Sequence, residues 1–141
     1  MQITAVVDWS TINMTIERQL IDLTQQLLES IAGGDWETYA RLCDPSLSAF
    51  EPESSGQLVE GLLFHKYFFD LGRSETPHNT TLCSPHVRML GSDSAVVSYV
   101  RLNQTLDSSG APVIQRYEET RIWQQQEGEW KHVHFHRSVS A

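Results

Sequence analysis

Three arginines carry the chemistry of this chain, because each falls among large apolar residues on one side of a strand-like run. Side chains of a strand alternate between two faces. Counting by twos, Val97, Tyr99 and Arg101 share a face, as do Tyr117, Glu119, Arg121 and Trp123, and again Val133, Phe135, Arg137 and Val139. If these faces look into one interior, three guanidinium groups converge there. Taken singly, each arginine could snorkel to an edge; taken together they need partners, since a buried charge is costly unless paired. Glu119, on the same side of its run as Arg121, would supply internal pairing. A positive surplus would instead make a pocket for an anionic group, most naturally a carboxylate held by forked hydrogen bonds. Parity leaves both open.

His132, His134 and His136 alternate with Val133, Phe135 and Arg137 and are expected on the opposite, outer face. At strand rise three such rings span roughly 13 Å, too far for all three to ligate one ion, so no metal is expected. They fit an outer sheet face or a subunit contact, where titration near neutral pH could tune association. Nucleophile elbows, phosphate-binding loops, paired-cysteine motifs and metalloprotease signatures are all missing from the sequence. No catalytic constellation is therefore evident, and no cofactor is expected. The alternative is an isomerase- or cyclase-type enzyme with Glu119, His65 and Tyr99 as acid–base groups and Arg101 or Arg137 orienting an anionic substrate.

The elements that position these residues follow from periodicity. Ile12, Ile16, Leu20, Leu23, Leu27 and Ile31 recur every three or four residues, which predicts a long amphipathic helix stopped by Gly33-Gly34. Asp35 caps a short second helix through Trp36, Tyr39 and Leu42, broken by Asp44-Pro45. A short strand at 47–50, a polar loop at 53–57 and a third helix at 58–71 come next. Four β-rich runs at about 80–90, 94–106, 112–126 and 129–139 are separated by hairpin-length turns. Helices followed by an antiparallel meander make an α+β fold with helices covering one face of a twisted sheet.

With 141 residues the chain suits one domain, read as an extension at 1–10 and a single unit over 11–141. A formal charge of −8 repels phosphate backbones, so nucleic acid is not an expected partner. Cys43 and Cys83 are too few for a disulfide framework. No run suits a membrane span, and the first eight residues lack a signal peptide's basic start, so a cytoplasmic location is expected.

Several short segments, in order, resemble the association (hub) domain of calcium/calmodulin-dependent protein kinase II. They include Gly34-Asp35-Trp36-Glu37, Cys43-Asp44-Pro45, Ala49-Phe50-Glu51-Pro52-Glu53 and Leu58-Val59-Glu60-Gly61. Phe64-His65, Ser84-Pro85-His86-Val87, Glu118-Glu119-Thr120-Arg121, Gly128-Glu129-Trp130-Lys131 and His134-Phe135-His136-Arg137-Ser138 continue the series. The likeness runs from about Ile16 to Ser138. It implies a nuclear transport factor 2-like cone, one long and two shorter helices in the concavity of a curved sheet. It also implies a non-catalytic scaffold that assembles with itself into two stacked rings of about twelve to fourteen subunits. The family's pocket arginines match Arg101, Arg121 and Arg137, with a histidine at His65, and the family's ligands there are small carboxylates. Arg73 stands near where animal hubs carry a tryptophan, and Tyr117 where a small polar residue is expected. Phe64, Tyr67, Phe68, Phe69, His134 and His136 are the candidate interface residues, being aromatic surface beyond what a small core needs. Insertion into an existing kinase hub would use the same surfaces.

Overall fold

In the computed structural model, residues 9–72 and 77–139 are described, with side chains from residue 15 onward. The N-terminal extension up to residue 8, the side chain of Ile12, and Arg73 lie outside the described residues. Helix α1 spans Trp9–Gly33. Its apolar stripe meets the sheet as the spacing predicts: Leu20 and Leu27 are wholly buried, and Ile16, Leu23 and Ile31 pack against the same core. Each buried leucine contributes roughly 2 kcal/mol. Gly34, at φ 67°, turns the chain out of the helix, and the Asp35 amide returns to Ser30 O at 2.8 Å. Asp35 then caps α2 (Trp36–Leu42), its carboxylate accepting from the Thr38 amide at 3.1 Å.

Strand β1 (Cys43–Phe50) begins directly after α2, earlier than expected, and contains Asp44-Pro45. Pro45 is tolerated because the β1–β6 register shifts between Cys43 and Ser48, so the ladder skips it. A single 3-10 turn at Pro52–Ser54 and the two-residue β2 (Val59–Glu60) follow, leaving α3 shorter than expected at Leu63–Asp70. Strands β3 (Asn79–Met89), β4 (Ser94–Leu106), β5 (Pro112–Gln126) and β6 (Glu129–Arg137) match the four predicted runs closely. The sheet order is β2-β1-β6-β5-β4-β3.

Two further features depart from the sequence reading. The meander is antiparallel, but β1 pairs in parallel with β6, which its long crossover through residues 51–128 permits. The histidine stripe is also broken. Between β5 and β6 the register steps from Ile122↔His134 to Trp123↔His132, so Val133 is an extra, bulged residue. The bulge reverses the alternation, and His132 turns inward and is fully buried while His134 and His136 keep the outer face. Helix α1 lies against β3 and β4, and α2 against β1 and β6. The indole N–H of buried Trp123 donates to Thr24 Oγ1 at 3.1 Å, and that hydroxyl donates to Leu20 O at 2.8 Å. One threonine thus fixes where α1 sits on the sheet.

Candidate functional site

The three inward-facing strand faces and the helices above them enclose a cavity of about 170 Å³. Its charged lining is Arg101, Arg121, Arg137, Glu51 and Glu53, joined by His65, and its apolar wall includes Tyr39, Phe68, Phe69 and Phe135. Pairing brings the charges together. Tyr99 stands opposite Glu119 across β4–β5, and Glu119 opposite Arg137 across β5–β6.

The deep layer is centred on Glu119, whose side chain has no exposed surface. Its Oε1 accepts from the Tyr99 hydroxyl at 2.5 Å and from Arg121 Nη2 at 3.3 Å, and its Oε2 accepts from Arg101 Nη1 at 3.2 Å. Arg121 Nε donates to the Tyr99 oxygen at 2.7 Å, closing the ring of contacts, and the Arg121 guanidinium lies 4.4 Å over Phe135. Burial alone would push the Glu119 carboxyl up; Arg121, Arg101 and the Tyr99 hydroxyl reverse this and hold it down at about 2. Burial likewise works against the charge of Arg121, and Tyr99 and Glu119 outweigh it, so the guanidinium stays protonated.

Arg121 Nη1 lies 3.3 Å from His132 Nε2. A guanidinium has no acceptor, so His132 accepts here and carries its proton on Nδ1, which faces Cys43 Sγ at 3.5 Å. Burial and the Arg121 charge both lower the basicity of this imidazole. Burial pushes the Cys43 thiol up to about 12, so it is an inert packing group.

The outer layer is built differently. Arg137 is ion-paired with Glu53 and lies 5.2 Å over the Tyr117 ring, while its Nε lacks a hydrogen-bond partner among the described residues. Tyr117 therefore backs the arginine without lining the cavity itself. His65 Nε2 and Glu51 Oε1 are 2.9 Å apart, both side chains nearly buried, and His65 Nδ1 is unpartnered.

The six residues singled out as a pocket are thus brought together, with Tyr99 and Glu119 beneath the cavity and Arg101, Arg121, Arg137 and His65 in its wall. Of the two arrangements open at the sequence level, internal pairing is what the described residues form: Glu119 holds Arg101 and Arg121, Glu53 holds Arg137, and Glu51 holds His65. Two of those acids, Glu51 and Glu53, escaped the parity argument because they sit at a turn; their signal was a pair of glutamates flanking Pro52. Tyr39 and His132 were missed as well, the latter because of the bulge.

The interface candidates divide. Phe69 packs on Trp36 and Tyr39 with ring centroids 5.2 and 5.0 Å apart, and Phe64 packs against the core. Tyr67 (62% exposed) is exposed beside Leu63 (84%) and Leu71 (66%), while Phe68 (41%) lines the cavity on one side and reaches the surface on the other. On the outer sheet face His134 Nδ1 lies 2.7 Å from Ser48 Oγ, and His136 lies 5.5 Å from the Phe50 ring. Burial and His136 lower the basicity of His134. Among the described residues no three His, Cys, Asp or Glu are grouped to hold a metal ion, and no helix is long and apolar enough to cross a membrane.

A curved sheet wrapped around three helices over such a cavity is the nuclear transport factor 2-like fold. A nuclear transport factor 2-like superfamily protein from Salmonella enterica shares this fold at a TM-score of 0.72 and 19% identity, over 92% of this chain and 94% of that one. The chain belongs to the calcium/calmodulin dependent protein kinase II association domain family, whose profile matches residues 16–141. It is 47% identical over 126 residues to the rabbit (Oryctolagus cuniculus) calcium/calmodulin-dependent protein kinase type II subunit delta. That match covers 88% of this chain and 24% of the rabbit protein, so the chain spans about a quarter of its relative's length. The association domain of the C. elegans kinase superposes with a TM-score of 0.86 at 41% identity, over 89% of this chain and 97% of that one. The S. rosetta kinase hub gives 0.78 at 43% identity, over 88% and 95%.

Proposed function

We propose that this chain is a self-assembling scaffold: a single domain over residues 11–141 that forms a large ring-shaped homo-oligomer in the cytoplasm and performs no chemistry of its own. The observation that carries this reading is the outward face of α3. Leu63 and Tyr67 on α3 and Leu71 just past its end are exposed one turn apart, with Phe68 partly exposed beside them, an apolar surface that a lone acidic subunit has no reason to keep. Membership of the association-domain family supports the same reading. The cavity serves as a site for a small carboxylate, with Arg137 the most exposed of its three arginines. An acid–base enzyme on this cone would need a free carboxylate as base. Glu119 is engaged by three donors and strongly acidic, which argues against that role.

Native mass spectrometry at micromolar concentration and neutral pH tests the reading. A discrete species of about twelve or more subunits is expected, with the closed symmetry of self-assembling rings. A monomer or dimer would remove the scaffold assignment. A mixture that absorbs an added kinase hub domain would mean that the chain works by joining an existing ring.

A further inference from the structure

The two layers of the cavity hold their cations in different ways. In the deep layer Glu119 is completely buried and shared by Arg101 and Arg121, so neither arginine can be released without stranding a charge away from water. In the outer layer the acid is the exposed partner: Arg137's side chain is 14% exposed, Glu53's 42%. Glu53 sits in the one-turn Pro52–Ser54 segment, and the chain leaves this segment through Ser55 and Gly56, both in the left-handed region. Its neighbour Glu51 is anchored separately, on His65. Glu53 can therefore swing into water and be solvated there, while Arg137 stays under the protein on the Tyr117 ring with Nε unpartnered.

We propose that Glu53 is a built-in competitor for the anion site. Its carboxylate occupies Arg137, and a small carboxylate binds by replacing it, turning Glu53 outward while the Glu51–His65 contact holds the base of the turn. Arg137 is then the exchangeable cation of the cavity, whereas Arg101 and Arg121 form its fixed floor. Occupancy is thereby transmitted to the 51–57 segment, which is exposed at Glu53 and from Ser55 onward. The proposal rests on reading the cavity as a carboxylate site.

The test is titration of the intact protein with butyrate, followed by calorimetry, for wild type, Glu53→Gln and Arg137→Gln. Hydrogen exchange of the 51–57 amides in the wild type is measured in parallel, with and without butyrate. Glu53→Gln should bind butyrate roughly three- to tenfold more tightly, the factor by which a half-exposed ion pair competes. Arg137→Gln should lose binding, and butyrate should speed exchange across 51–57 in the wild type. Equal affinity in wild type and Glu53→Gln, with unchanged exchange, would overturn the competitor role and leave the carboxylate site standing. No butyrate binding by either protein would overturn the carboxylate reading and the proposal with it.

Discussion

Glu119 keeps its negative charge with no side-chain surface exposed to water, and the cost of that burial is met by two guanidiniums and a tyrosine hydroxyl. Removing one partner is therefore far worse than the pair is good. Arg121→Ala should cost about 3–5 kcal/mol and lower the melting temperature steeply. Arg137→Ala, which breaks a half-exposed pair, should cost about 1 kcal/mol. Equal losses in the two melting curves would contradict the layered arrangement. The same residues set the acid limit. Glu119 falls from 4.5 to about 2 on folding, so its contribution is complete above pH 4.5 and is lost as the pH drops toward 2. That loss amounts to about 3 kcal/mol. His132 acts earlier. Its folded-state basicity is lowered, so below its ordinary pKa of 6.5 the unfolded chain takes up a proton that the native state refuses. Stability should begin to fall below pH 6.5, and His132→Gln should reduce the slope from 6.5 to 4.5, leaving the smaller share of half-buried His134 and the steeper loss below that range. Melting temperatures from pH 7 to 3 measure both effects, and a wild-type curve level down to pH 5 would contradict a neutral buried His132.

At the scale of elements, the seating of α1 on the sheet depends on Thr24, which links the helix backbone to the indole of Trp123. Thr24→Val keeps the shape and leaves the buried indole N–H without an acceptor, so a loss of about 1–3 kcal/mol is expected in denaturant unfolding. A neutral effect would mean the indole finds another partner. The α1 stripe, β4 and β5 were legible in the sequence because each keeps one period over its length, and β3 and β6 were legible as strands from their β-branched and aromatic content despite a register shift in each. Arg101, Glu119 and Arg121 lie in such stretches, and their inward orientation was readable for that reason. His132 was not readable, since the extra residue at Val133 shifts every position before it to the other face and nothing in the local sequence marks a bulge. The β1–β6 pairing was hidden for a different reason: β1 is split by Pro45, and its partner lies more than 80 residues away. Glu51 and Glu53 belong to a turn, where no periodicity tells which way a side chain points.

For the whole molecule, assembly must join subunits that repel one another, each with a formal charge of −8. If α3 carries the contact, as proposed, its apolar surface has to outweigh that repulsion, and added salt screens it. The double variant Leu63→Asp/Tyr67→Asp should shift the native mass from rings to small species while barely changing the melting temperature of the subunit, because both side chains face outward. Rings that survive the double variant would move the contact to another surface. Wild-type rings should also be more prevalent at 0.5 M salt than at 0.02 M.

The parallel pairing of β1 with β6 also governs how the chain comes to be folded. Residues 43–50 find their neighbour only when 132–136 exist, so a nascent chain still growing out of the ribosome has no completed sheet to hold β1. Such long-range closure slows the search for the native state. A chain released after residue 128 lacks β6, which separates β1 from β5 in the sheet. It should stay unfolded by circular dichroism and be degraded by protease, whereas one ending at residue 139 should fold. Subunits of this kind become competent to associate all at once, when the last strand arrives.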